Sequence, residues 1–122
     1  MYNNTSGYSA PDPPSLLSPY NNSTYVSIYH NIDWSNVQYA DSYNLQISRS
    51  LTFDTLELNT NTTTSNFQLG TCTLNRGRVY YWRVCAANFV GKGAWSQTWK
   101  FTTLNSFTGW TQQPGPDTLN NN

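Results

Sequence analysis

The sequence predicts an all-β fold, a sandwich of two sheets built from about seven short strands. Three observations predict it. Thr, Val, Tyr and Trp, which favour pleated and half-buried surfaces, recur along all 122 residues. Apolar and polar residues alternate with a period of two in several short runs, bounded by Gly, Pro, Asn and Ser. No window of about 11 residues carries a sustained helical stripe.

The elements follow in order. Residues 1–9 are polar with a glycine and read as an arm. "PDPP" then interrupts any ladder, because proline has no backbone donor. "SLLSP" is a short first strand ending at Pro19, and "YNNST" is a turn. "TYVSIYHNIDW" alternates: Val26, Ile28, Ile32 and Trp34 share one parity, with His30 in the same series. "SNVQYAD" is a loop. "SYNLQIS" is the cleanest strand, with Tyr43, Leu45 and Ile47 facing one way and Asn44, Gln46 and Ser48 the other.

"LTFDTLELNTNTTTSNFQLGT" reads as two short strands around a Thr-rich turn, and "LNRG" as a further turn. "VYYWRVCAA" sends Tyr80, Trp82, Val84 and Ala86 to one side and Tyr81, Arg83 and Cys85 to the other. "NFVGKGA" is a hairpin loop. "WSQTWKFTT" closes the pattern, with Trp99, Phe101 and Thr103 on one parity. Trp82, Val84 and Phe101 are therefore core, Trp99 caps one end of that core, and the direction of Trp95 stays open.

Composition removes several classes of function. Formal net charge is zero and only 10% of residues are charged, so no basic patch offsets nucleic-acid phosphates. The 16 Asn, 16 Thr and 13 Ser instead make a neutral polar exterior. No apolar run approaches the roughly 20 residues that span a bilayer, so no membrane insertion is expected. "MYNNTSGYSAPDPP" lacks the basic and apolar regions of a secretory signal. One histidine and scattered carboxylates supply neither a zinc set nor a facing acid pair. His30 and Asp33 face opposite ways on the expected strand, which defeats a Ser-His-Asp arrangement. No enzyme activity and no cofactor are expected. Cys72 and Cys85 match no metal spacing; free thiols and a disulfide both stay open.

Six pieces in order now suggest a family: "PPSLLSP", "IDWSNVQYADSYNLQIS", Phe53, "LNRGRVYYWRVCAAN", "GKGAWS" and "WKFTT". Residues of roughly 10 to 104 resemble a fibronectin type III domain, and more closely its bacterial surface-protein form. The resemblance implies a seven-stranded immunoglobulin-like sandwich; residues 1–9, read as an N-terminal arm, and residues 105–122, read as a C-terminal arm or linker, extend beyond it. The resemblance implies that Trp34 is core, while the alternation of residues 42–48 makes Tyr43 and Leu45 core. The resemblance also implies that Leu74, Gly77 and Tyr80 form the family's tyrosine corner. The segment between Phe67 and Leu74 is slightly longer than the usual pattern and carries Cys72. A bridge from there to an outward-facing Cys85 would need an unusual local path. "WSQTW" resembles the aromatic-serine motif of cytokine receptors, in which tryptophans stack with arginines outside the sandwich. Arg83 is the residue placed to stack that way.

The resemblance implies a non-catalytic structural or contact module. A protein partner, either a second copy or a neighbouring subunit, heads the expectations, in an extracellular, cell-surface or virion-surface setting. The polar arms and the missing signal motivate self-assembly through those arms. Carbohydrate is the alternative, because sugars stack on exposed rings; Tyr81, Trp95 and Trp110 are the candidates, with Arg83 beside them. Trp110 lies beyond the last expected strand, where core duty does not explain it. Five glycosylation sequons, at Asn3, Asn4, Asn21, Asn22 and Asn61, are all expected in arms or turns.

Overall fold

The apolar series Tyr80, Trp82, Val84 and Ala86 is wholly buried and fixes the centre of the molecule. The computed structural model describes residues 9–105. Eight strands form, in order β1 (Leu16–Ser18), β2 (Ser23–Val26), β3 (Asn31–Trp34), β4 (Ser42–Ser48), β5 (Leu58–Thr62), β6 (Asn66–Gln68), β7 (Val79–Ala87) and β8 (Trp99–Thr103). They make two sheets, β1-β3-β6 and β2-β8-β7-β4-β5. No helix occurs among the described residues.

The expected sandwich is present, and its strand count differs from seven by one. "TYVSIYHNIDW" is two strands that belong to different sheets. Tyr25 has a positive φ of 58°, which breaks the extended path. A turn follows, closed by the His30 N–H donating to the Ser27 carbonyl at 3.1 Å. The shared parity survives the break: Val26, Ile28, Ile32 and Trp34 are all buried. β2 pairs in parallel with β8, and its register shifts between Ser23 and Val26.

The core lies where the inward faces of both sheets meet. Trp34, Ile32 and Leu69 come from the three-stranded side; Tyr43, Leu45, Ile47, Tyr80, Trp82, Val84 and Phe101 from the five-stranded side. Each such large side chain contributes about 1.5–3 kcal/mol by leaving water. Edge contacts set ring orientation: Trp34 meets Tyr43 at 5.8 Å, and Trp82 meets Trp99 at 6.2 Å. Trp99 is half-buried at the rim, with Tyr20 against its other side at 4.9 Å.

The turn into β7 is tied by its own residues. The Asn75 N–H donates to the Tyr80 hydroxyl at 2.7 Å, and Tyr80 and Leu74 are both buried. Gly77 between them has φ +68°. A side chain there would be strained, and its Cβ would sit 2.5 Å from the Asn105 Oδ1.

Candidate interaction face

The pleat of β7 that sends Trp82 and Val84 inward sends Tyr81, Arg83 and Cys85 outward. Register pairs these with outward residues of β4: Ser48 opposite Tyr81, Gln46 opposite Arg83, and Asn44 opposite Cys85. On the other flank of β4, Asn59 lies opposite Gln46 and Asn61 opposite Asn44. The outer face of the five-stranded sheet is therefore a field of neutral amides with one arginine near its middle.

That arginine is held from several directions. Its Nε and Nη2 donate to Gln46 Oε1 at 3.1 and 2.9 Å. Its guanidinium carbon lies 4.1 Å from the centroid of the Phe53 ring and 4.1 Å from that of Trp95. Lys92 Nζ is 5.1 Å from the same Trp95 ring and reaches Asn44 Oδ1 at 3.5 Å. Phe53 presents its ring from a backbone of φ 59°. Trp95 takes its position because the Ser96 N–H donates to the Val84 carbonyl at 2.8 Å while the Ser96 hydroxyl accepts from the Val84 N–H. The serine of "WSQTW" thus ties this segment to β7 and leaves the preceding tryptophan over Arg83.

Electrostatics follow the packing. Burial lowers the Arg83 pKa from its ordinary value, with the neighbouring Cys85 acting in the opposite direction. Burial raises the Cys85 thiol, against the pull of Lys92 and Arg83 and of a hydrogen bond from the Asn44 backbone. Cys85 behaves as a small buried apolar group rather than a nucleophile.

Two concavities adjoin this face. A hollow of about 270 Å³ is lined by Ser42, Tyr43, Asn44, Asn59, Asn61 and Lys92, among others. A groove of about 510 Å³ runs between Pro13, Pro14 and Leu16 on one side and Trp95, Gln97 and Trp99 on the other. Asn44 closes the floor of the hollow, donating from Nδ2 to Asn59 Oδ1 at 2.9 Å and to the Thr60 carbonyl at 3.0 Å.

The structure gathers Arg83 and Trp95 into one contact and sets the half-buried Tyr81 on the same face. Trp110, Asn3 and Asn4 lie outside the described residues, as does nearly all of both expected arms. Asn21 and Asn22 sit in a turn, where Asn21 Oδ1 accepts from the Lys100 N–H at 3.0 Å. Asn61 is not in a turn: it is an exposed residue within β5, because its backbone continues the ladder opposite Asn44. The Cys72–Cys85 bridge that the sequence leaves open is not formed, and both thiols are free. Cys72 sits in the loop before β7, beside Ile28 and Leu74. Cys85 lies six residues along β7, about 20 Å from its start, whereas a disulfide needs Cα atoms within about 7 Å.

Phe53, Gln46, Asn44 and Lys92 are site residues that a sequence reading of the contact set omits. Gln46 was within reach, since aligning the outward parities of residues 42–48 and 79–87 sets it beside Arg83. Phe53 and Lys92 come from loops whose paths no periodicity encodes. Among the described residues no group of three or more His, Cys, Asp or Glu converges to hold a metal.

No protein-family model matches the sequence, and no curated protein matches it. Solved structures do. The chain is similar to a fibronectin type III domain of human fibronectin type III domain containing protein 3, with 20% identity and a TM-score of 0.58 over 90% of this chain and 100% of that one. The fold is that of a fibronectin type III domain. A second domain of the same human protein, the sixth, gives 20% identity and a TM-score of 0.56 over 94% of this chain and 99% of that one. The chain is also similar to part of an α-L-rhamnosidase from Dictyoglumus thermophilum, with 16% identity and a TM-score of 0.56, over 84% of this chain and 13% of the enzyme. The bond from the Asn75 N–H to the Tyr80 hydroxyl lies within the Leu74–Tyr80 turn that the resemblance reads as a tyrosine corner. These likenesses do not distinguish a bacterial surface-protein form.

Proposed function

We propose that the chain is a non-catalytic interaction module of an extracellular or virion-surface assembly, and that its partners are proteins, copies of itself included. Fibronectin type III domains generally serve as structural or interaction modules. The observation that carries the reading is the Arg83 stack. Two aromatic rings and an amide hold a cation in place on the outside of the sheet, where the core has no use for it. Ordered aromatic and arginine side chains at a surface lose little further freedom on binding, which makes them effective contacts. The polar arms extend the same reading: each supplies backbone to lay on a neighbour's sheet edge.

Light scattering across a concentration series tests this, on the full chain and on a chain lacking residues 1–9 and 105–122. Oligomers of the full chain alone assign assembly to the arms. Two monomers at every concentration overturn self-assembly through the arms.

One observation favours carbohydrate as the alternative partner. The hollow between β4 and β5 is lined by amides and a lysine, groups that hydrogen-bond hydroxyls without demanding a charge. A glycan array probed with the full chain and with Asn61→Ala tests it, and equal signals from both proteins overturn it.

A further inference from the structure

Among the described residues the two sheets have four edges, β1, β6, β2 and β5. An open edge presents unpaired N–H and C=O groups and templates pairing with another chain unless something blunts it. Three of the four are blunted. β1 has three residues, with Pro13 and Pro14 before it, Pro19 after it and a register break within it. β6 also has three, and the Gln68 side chain folds back to donate to the Tyr29 carbonyl. β2 is bulged, with positive φ at Asn22 and Tyr25.

β5 carries none of these devices. It has five residues, no proline, glycine or charge, and an unbroken one-to-one register with β4 from Leu58↔Ile47 to Thr62↔Tyr43. Asn44 fixes it further through its bonds to Asn59 and Thr60. The strand reads Leu58-Asn59-Thr60-Asn61-Thr62, a near-palindrome about Thr60. A two-fold axis demands self-complementarity of this kind. An antiparallel pairing centred on Thr60 sets Thr60 opposite its own copy, Asn59 opposite Asn61 of the other copy, and Leu58 opposite Thr62. Thr–Thr and amide–amide pairs are favourable across strands, and no like charges meet.

We infer that β5 is a self-association edge, at which a second copy of this chain adds antiparallel and joins two five-stranded sheets into one of ten strands. The inference deepens the interaction-module reading and rests on it. It brings the two amide hollows side by side across the axis, because Asn59 and Asn61 line both the hollow and the seam.

The test uses full-length protein and sedimentation velocity over a concentration series. Asn59→Lys with Asn61→Lys sets lysine opposite lysine at the seam; Asn59→Asp with Asn61→Asp does the same with carboxylates. The inference expects the wild type to dimerise, each variant alone to associate at least tenfold more weakly, and a one-to-one mixture of the two variants to regain the dimer. Thermal melts of each variant report whether the sandwich is intact, and the mixing arm distinguishes a lost seam from a lost fold. A wild type that stays monomeric overturns the inference. So do variants that associate as the wild type does; that result leaves the interaction-module reading standing and moves the contact elsewhere, with the arm-deleted chain in the same run identifying whether the arms supply it.

Discussion

The Arg83 guanidinium lies 4.1 Å from the centroid of the Trp95 ring, with Phe53 at the same distance. A planar, weakly hydrated cation suits such packing, and a compact ammonium does not. Arg83→Lys is expected to keep the charge and lower stability by about 1 kcal/mol, through loss of the paired Gln46 bonds and of the ring contacts. A double-mutant cycle of Arg83→Lys with Trp95→Leu, read by urea denaturation, is expected to return a coupling of about 0.5–1 kcal/mol. Additive effects would show that the two residues share a surface without interacting.

Tyr80 is wholly buried, and its hydroxyl accepts from the Asn75 N–H at 2.7 Å. Tyr80→Phe keeps the ring and removes that acceptor. The expected loss is about 1–2 kcal/mol in chemical denaturation, because an N–H in a part-buried turn is left without its partner. The ring contact with Phe101, at 5.9 Å, is unchanged, so near-ultraviolet circular dichroism of the variant is expected to retain its aromatic bands apart from the tyrosine contribution itself.

The strands most legible in the sequence are those whose two faces differ most. Residues 42–48 alternate without exception at the level of residue type, residues 79–87 carry one wholly apolar face with Arg83 breaking the other, and both appear with the expected bounds as β4 and β7. Residues 24–34 alternate just as well and still divide. Parity reports which side of the chain is buried; it does not report whether the backbone stays in one sheet. A turn of even length conserves parity while it changes sheets. The candidate face was half legible for a related reason. The outward direction of Arg83 follows from the pleat, and the resemblance of "WSQTW" to an aromatic-serine motif suggested a stacking partner. That the partners are Trp95 and Phe53 depends on two loops, one of them held by the Ser96 bonds to Val84. Nothing in local periodicity records such long-range ties.

His30 contacts Ser18 through Nε2 at 2.7 Å, and burial lowers its pKa from the ordinary histidine value of 6.5. The sign follows from the linkage of proton binding to folding. A lowered folded-state pKa means that the unfolded chain takes up the proton first. The stability tied to neutral His30 is complete above about pH 6.5 and is lost as pH falls from there through the folded-state value. Denaturation midpoints are therefore expected to decline between pH 7.5 and 5 in the wild type. The decline is expected to be smaller in His30→Gln, whose side chain keeps a polar partner for Ser18 and does not titrate. Parallel curves would remove His30 as the cause.

Gly93 marks where the start of the domain crosses the hairpin after β7. The Gly93 N–H donates to the Ala86 carbonyl at 2.8 Å, and the chain at Pro11 passes directly over it. A Cβ built on Gly93 would lie 2.0 Å from the Pro11 carbonyl oxygen, a backbone atom that cannot rotate aside. The Asn88 side chain holds the same crossing from the other side, donating from Nδ2 to the Ser9 carbonyl at 2.9 Å and the Tyr39 carbonyl at 3.1 Å. Gly93→Ala is thus expected to lift residues 9–11 off the hairpin and to cost about 1–3 kcal/mol, the range for overpacking a close contact. Hydrogen exchange separates this from a general loss of stability. Amides of the hairpin from Asn88 to Gly93 are expected to lose protection, while those of β4 and the centre of β7 keep theirs. Uniform loss across all strands would mean that the Pro11 crossing is part of the global folding unit; no loss anywhere would mean that the segment at Pro11 does not lie against Gly93 in solution.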